Sequence, residues 1–291
     1  MFGSGNTLQA LDIEALADIR TTTAVTVLRL DPENPVTGGN KSYKLKYNLL
    51  KAIAEGYSSV LTFGGPFSNH IAATAAAAQT SGLRSIGIIR GEKVSNPTLL
   101  RAAANGMQLI FTDRSSYRKK TDSDFISNLR HIYGNPFIIP EGGSSEEGVL
   151  GCEEILDGIN IPFDTVVVAC GTGATLAGII RSSPSTRCIG ISVLRDGGSI
   201  TETVQQFLGS RELSNWSVMP GYDFGGYAKT NPELNAFVNN FIQHTSIPIE
   251  PVYTGKMFYG LLDMIKTNKI PEGSKVLAIH TGGMQYLQSN V

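Results

Sequence analysis

The chain has 291 residues, with 24 Lys and Arg against 25 Asp and Glu and a formal net charge of −1. A chain of this length favours about two domains and buries about 75% of its unfolded surface without metal or disulfide staples. The balanced charge offers nucleic acid or anionic lipid no electrostatic handle. Met1 to Arg20 lacks the basic start and apolar core of a secretory signal, and no apolar run approaches the ~20 residues of a membrane span. A soluble, cytoplasmic protein with no membrane contact is expected. Cys152, Cys170 and Cys188 show no C-x-x-C pairing, and buried free thiols in a reducing compartment account for them.

Short β-branched runs alternate with helix-length segments along the chain. Strands are predicted at residues 25–30, 60–63, 85–89, 109–112, 137–139, 165–169, 188–193 and 276–279. Their continuous apolar character is that of parallel strands covered on both faces. Helices are predicted at 42–55, 69–80, 97–104, 123–133, 148–156, 175–181, 200–208, 232–243 and 256–266. This alternation argues an α/β fold with open, mostly parallel sheets. Polar breaks fall at 113–123, with the basic cluster Arg118-Lys119-Lys120, and at 141–147; the first reads as an exposed, solvated loop.

Three glycine-marked loops carry the chemistry. The first follows the turn-rich connector Asp31-Pro32-Glu33-Asn34-Pro35 and reads Gly38-Gly39-Asn40-Lys41-Ser42-Tyr43-Lys44. Its double glycine permits a sharp turn and close ligand approach, and Lys41 and Lys44 share one side of the first helical turn. Taken alone, it is also a plain loop with two solvated lysines. The second, Phe63-Gly64-Gly65-Pro66-Phe67-Ser68-Asn69-His70, places Ser68 at an N-cap position before an alanine-rich helix former. The third, Cys170-Gly171-Thr172-Gly173-Ala174-Thr175, follows a strand and opens a helix, so its backbone N–H groups form a phosphate cradle. It lacks the lysine of a Walker loop, and Leu176 occupies the third glycine position of a dinucleotide fingerprint; Asp196 alone keeps a nicotinamide reading open. An imine-forming amine, a small polar cluster and a phosphate cradle together suit pyridoxal 5′-phosphate.

Five motifs then occur in order: Gly38-Gly39-Asn40-Lys41 with Lys44, Gly64-Gly65-x-x-Ser68-Asn69, Thr172-Gly173, Glu250-Pro251-Val252-Tyr253-Thr254-Gly255-Lys256, and His280-Thr281-Gly282-Gly283. From about residue 25 to the end the chain resembles the 1-aminocyclopropane-1-carboxylate (ACC) deaminase and D-cysteine desulfhydrase family, within the tryptophan-synthase-β-like pyridoxal-phosphate enzymes. The resemblance implies two α/β domains with the cofactor in the cleft between them. A larger one would comprise residues 1–45 and 139–291, a smaller one 46–138, and the enzyme would be a homodimer acting on a small amino acid.

It further implies that Lys41 condenses with the cofactor, that Lys44 contacts its phosphate, and that Asn69 hydrogen-bonds the pyridine 3′-oxygen. Backbone N–H groups of Gly171, Thr172, Gly173, Ala174 and Thr175 would hold the phosphate. Ser68 would lie beside the substrate carboxylate, and Tyr253 and Tyr227 would be active-site tyrosines; half-buried packing with a satisfied hydroxyl is the other account of Tyr227. Thr254 and Thr281 would stand near the cofactor ring. ACC deaminases carry glutamate and leucine at these two places, and the threonines resemble the D-cysteine desulfhydrase pattern. ACC has no Cα hydrogen and needs a deep electron sink, whereas β-elimination from a Cα–H substrate asks less of the ring nitrogen's partner. D-cysteine desulfuration is therefore the leading expectation, with ACC deamination second. A non-catalytic pyridoxal-phosphate binder and a nucleotide-binding module are the readings from other classes. His70 stands where many deaminases have glutamine, as a catalytic acid or a polar contact.

Overall fold

A computed structural model describes residues 6–30, 38–195 and 198–283. The connector at Asp31–Pro35 and Asp196 lie outside the described residues. The elements run β1 (Thr7–Leu11), α1 (Ile13–Ala17), β2 (Ala24–Arg29), α2 (Asn40–Ala54), β3 (Ser59–Gly64), α3 (Asn69–Thr80), β4 (Arg84–Arg90), α4 (Pro97–Ala104), β5 (Met107–Thr112), α5 (Arg114–Tyr117), α6 (Ser123–Ile132) and β6 (Phe137–Ile139). They continue with α7 (Glu146–Cys152), β7 (Thr165–Cys170), α8 (Ala174–Ser182), β8 (Arg187–Ser192), α9 (Ser199–Leu208), β9 (Trp216–Met219), α10 (Pro232–Thr245), α11 (Thr254–Lys266) and β10 (Lys275–His280).

These strands build two sheets. The larger has the order β1-β2-β10-β7-β8-β9, and the smaller β5-β4-β3-β6. Every pairing is parallel except β1 with β2. The continuous apolar strands have the predicted cause. In β7, Val166, Val168 and Cys170 pack with α7 and α8, while Val167 and Ala169 pack with α10 and α11. The smaller sheet is clothed likewise: Val60 and Ile139 meet α2 and α3, and Leu61, Phe63 and Ile88 meet Tyr117 and Leu129 on the other face.

Two strands were not anticipated. β1 is an antiparallel edge strand of mixed polarity, and β9 closes the opposite edge with four half-buried residues. Edge strands bury one flank only, so neither carries an apolar run. The polar break after residue 112 contains one helical turn, α5, capped by the Asp113 carboxylate. The boundary expected after residue 45 falls inside α2, whose Leu45, Leu49 and Ala52 pack in the core of the smaller sheet. All three cysteines are free and buried. Among the described residues, no helix is long and apolar enough to cross a membrane.

Candidate active site

The carboxyl ends of β2, β10 and β7 in one sheet face those of β3, β4 and β6 in the other, which is where open α/β sheets place ligands. A cleft of about 270 Å³ opens between them. Of the residues expected at the site, Lys41, Lys44, Ser68, Asn69, Gly171, Thr172, Gly173, Thr175, Tyr227, Tyr253 and Thr281 line it. Ala174 and Thr254 do not. Ala174 is buried as the first residue of α8. The Thr254 hydroxyl is turned to Glu250, accepting from its backbone N–H at 2.9 Å and lying 3.2 Å from its carboxylate.

The lysine turn is pressed against the loop after β10. Gly39 has φ +78°, and a Cβ there would lie 2.2 Å from the Thr281 carbonyl oxygen. Asn40 N–H donates to that same oxygen at 3.1 Å, so β2 and β10 together aim the first turn of α2 into the cleft. Lys41 Nζ donates to Asn40 Oδ1 at 3.0 Å, and Lys44 Nζ to Thr172 Oγ1 at 3.3 Å. Burial and the neighbouring Lys44 charge pull the Lys41 amine down from 10.5 to about 7. Burial lowers Lys44 as well.

Among the described residues neither amine has a carboxylate partner. Beside them, Gly173 (φ +83°) is the N-cap of α8, and no side chain caps the free N–H groups of that helix. Two amines, Lys44 buried and Lys41 partly buried, next to an uncapped helix N-terminus make a site suited to an anion. The residues present therefore fit a phosphorylated cofactor with an aldehyde for Lys41.

Opposite, Ser68 caps α3 and still faces the cleft. Its Oγ accepts from Ile71 N–H at only 3.4 Å, so the helix-cap and ligand-contact readings coexist. Tyr227 and Tyr253 meet edge to face, with ring centroids 6.1 Å apart. Burial raises both phenols, Tyr253 well above its ordinary value, so both are protonated near neutrality.

Several residues outside the expected set build this site. The Glu250 carboxylate, 1% exposed, accepts from the N–H groups of Val252, Tyr253 and Thr254 at 2.6, 2.9 and 2.8 Å, which fixes the turn presenting Tyr253. Burial outweighs these donors and raises its pKa. The fully buried Lys256 donates to the carbonyls of Asp223 and Gly226 at 2.7 and 2.8 Å, pinning the loop that carries Tyr227. Both lie in the motif around Tyr253, and their buried structural roles had no sequence signal beyond that. Arg90 and Glu141 complete the mouth. Their signal was position, directly at or after a predicted strand end.

The sequence matches the pyridoxal-phosphate dependent enzyme family model over residues 11–282. It is 33% identical over 263 residues to a putative ACC deaminase of Pyrococcus horikoshii, covering 85% of this chain and 80% of that protein. A bifunctional D-cysteine desulfhydrase/ACC deaminase of Arabidopsis thaliana is 33% identical, with 87% and 70% covered. A D-cysteine desulfhydrase of Serratia proteamaculans is 27% identical, with 88% and 86% covered. The crystal structure of an ACC deaminase homologue superposes with a TM-score of 0.85 at 30% identity, over 98% of this chain and 91% of that one.

Proposed function

The chain belongs to the pyridoxal-phosphate dependent enzymes, in the ACC deaminase and D-cysteine desulfhydrase family, and from that premise we propose that it catalyses β-elimination from a small amino acid, D-cysteine foremost. The observation that carries the choice is the residue after Tyr253. Thr254 is a neutral hydroxyl already engaged with Glu250, so this position brings no carboxylate to the cofactor ring. That suits a substrate with a Cα hydrogen and a good leaving group better than a ring that must be opened without one.

Bound pyridoxal phosphate supplies an electron sink for the substrate's Cα. Asn40 and the pressed glycine turn orient Lys41, while Lys44 and the α8 amides take the phosphate. The Lys41 amine, drawn down to about 7, would be available unprotonated near neutrality to accept the substrate's Cα proton. Ser68 and the first N–H groups of α3 hold the substrate carboxylate, and Asn69 orients the ring from the same turn. Tyr253 and Tyr227 shield the far side from water and offer phenolic protons to the departing group. With D-cysteine and one water the products are pyruvate, hydrogen sulfide and ammonia. The division into a unit of residues 1–45 with 139–291 and a unit of 46–138 belongs to the same reading, with α2 lying along the smaller sheet, and so does a homodimer.

A panel of D-cysteine, L-cysteine, β-chloro-D-alanine, D-serine and ACC, followed by oxo-acid release, tests the proposal. Turnover of D-cysteine or β-chloro-D-alanine well above ACC is expected. Turnover of ACC with none of the Cα–H substrates would sink it in favour of deamination to 2-oxobutanoate.

A further inference from the structure

Among the described residues, the charged side chains lining the cleft are Lys41, Lys44, Arg90 and Glu141. The two lysines are accounted for by the cofactor. His70 adds no charge, because burial keeps its ring neutral, with Nε2 2.8 Å from the Thr62 hydroxyl. Glu141 is occupied: it accepts from the Tyr117 hydroxyl at 2.9 Å and pairs with Lys120 at 3.4 Å. Arg90 is left over. Among the described residues its guanidinium makes no hydrogen bond and no ion pair.

Arg90 ends β4, which pairs with β3, the strand leading into the Ser68 turn. It is exposed, yet its guanidinium is held in place, 5.7 Å from the centre of the Tyr117 ring. That ring is itself fixed, being 2% exposed and tied to Glu141 through its hydroxyl. One guanidinium nitrogen lies 3.7 Å from where a Gly65 Cβ would stand, and Ser68 Oγ lies 2.8 Å from the Cβ position of Gly64. The free cation and the hydroxyl assigned to the substrate carboxylate thus flank one Gly-Gly turn. Arg90 also lines an outer groove of about 780 Å³ beside the cleft, together with Lys93 and Arg114. The acids of that groove are Glu92 and Asp113, and Asp113 already accepts from Ser115 and Ser116.

We infer that Arg90 is a specificity-determining residue that takes a second anionic group of the substrate, so that the site favours amino acids whose β-substituent is an oxyanion such as a phosphate ester. A guanidinium meets two oxygens of such a group with two parallel hydrogen bonds, which a thiol cannot accept. In the elimination the Cα proton passes to Lys41, the bond from Cβ to the substituent breaks, and its electron pair leaves with the oxyanion. Arg90 offsets the charge that the departing group gains. With O-phosphoserine and one water the products are pyruvate, phosphate and ammonia. The inference rests on the proposed β-elimination, and ligand binding tests it separately from turnover.

The probe is 2-amino-3-phosphonopropionate, whose carbon–phosphorus bond stays intact, compared with alanine. Each enantiomer is titrated into the chain loaded with pyridoxal phosphate, and binding is read by visible absorbance. Wild type is expected to prefer the phosphonate by about tenfold, and Arg90→Gln to remove most of that preference. Arg90→Lys keeps the charge without the fork and retains more of it than Arg90→Gln. Equal affinity of wild type for the two ligands overturns the inference. So does an Arg90→Gln protein that loses both ligands alike, since Arg90 would then hold the α-carboxylate. Turnover of O-phosphoserine and β-chloroalanine is followed alongside, by pyruvate and phosphate release. Pyruvate from β-chloroalanine and none from O-phosphoserine overturns the inference as well. Pyruvate from neither, with the Arg90-dependent preference intact, overturns the β-elimination reading and leaves Arg90 as the oxyanion contact.

Discussion

Replacing Lys41 with Met makes the chain more stable in the absence of cofactor. Folding lowers this amine from 10.5 to about 7, so the unfolded chain binds its proton more tightly than the folded one. Below pH 7 both states carry the charge and the folded state bears the full burial penalty; above pH 10.5 both are neutral and the penalty is gone. At about 1.4 kcal/mol per pH unit the penalty is bounded at about 5 kcal/mol. Water reaching the amine from the cleft reduces it, leaving an expected gain for Lys41→Met of about 2–4 kcal/mol at pH 7. For a chain of this size that raises the thermal midpoint by about 4–8 °C. Lys44 is also lowered by burial and adds its own rise of stability with pH in both proteins, so the difference between them reports Lys41 together with its repulsion with Lys44. Scanning calorimetry of both full chains without cofactor from pH 7 to pH 10 is the assay. Equal midpoints at pH 7, or a difference that does not shrink as pH rises, would refute the reasoning.

Lys44→Met removes a buried cation beside the α8 N-terminus and weakens pyridoxal phosphate binding by about 10- to 100-fold, read by absorbance titration; a change under about threefold would remove Lys44 from the phosphate site. Gly39→Ala forces a Cβ against the Thr281 carbonyl at φ +78° and costs at least about 2 kcal/mol by thermal denaturation, with loss of cofactor capture; a neutral result would mean the turn relaxes freely. Lys256→Met leaves the carbonyls of Asp223 and Gly226 without their ammonium and loosens the Tyr227 loop, lowering stability by about 2–3 kcal/mol and raising KM more than it lowers kcat. Thr254→Glu sets a second carboxylate beside the buried Glu250, and a lower melting temperature, rather than gain of ACC turnover alone, is the expected result.

The central strands were legible in the sequence because burial on both faces leaves a continuous apolar run; in β7 all six residues are buried. Edge strands β1 and β9 leave no such run. The glycine loops were legible for a different reason: Gly39 and Gly173 hold φ values that side chains resist, so their residue type records their geometry. Lys41, Ser68 and Tyr253 sit on those loops or in motifs ordered around them. Glu250, Lys256 and Thr62 could not be found this way, because each acts by pairing with a partner distant in the chain or with backbone atoms. Thr254 is a different case: its place after Tyr253 suggested a hydroxyl near the ring, and that hydroxyl is paired with Glu250 four residues away, a contact with no sequence signal.

The most direct measurement is hydrogen sulfide and pyruvate release from D-cysteine by the purified chain loaded with pyridoxal phosphate, comparing Cα-protiated with Cα-deuterated substrate and with ACC. The account predicts equal yields of sulfide and pyruvate, a slower deuterated reaction, no turnover by Lys41→Ala, and little from ACC. Oxo acid from ACC but not from D-cysteine would contradict it.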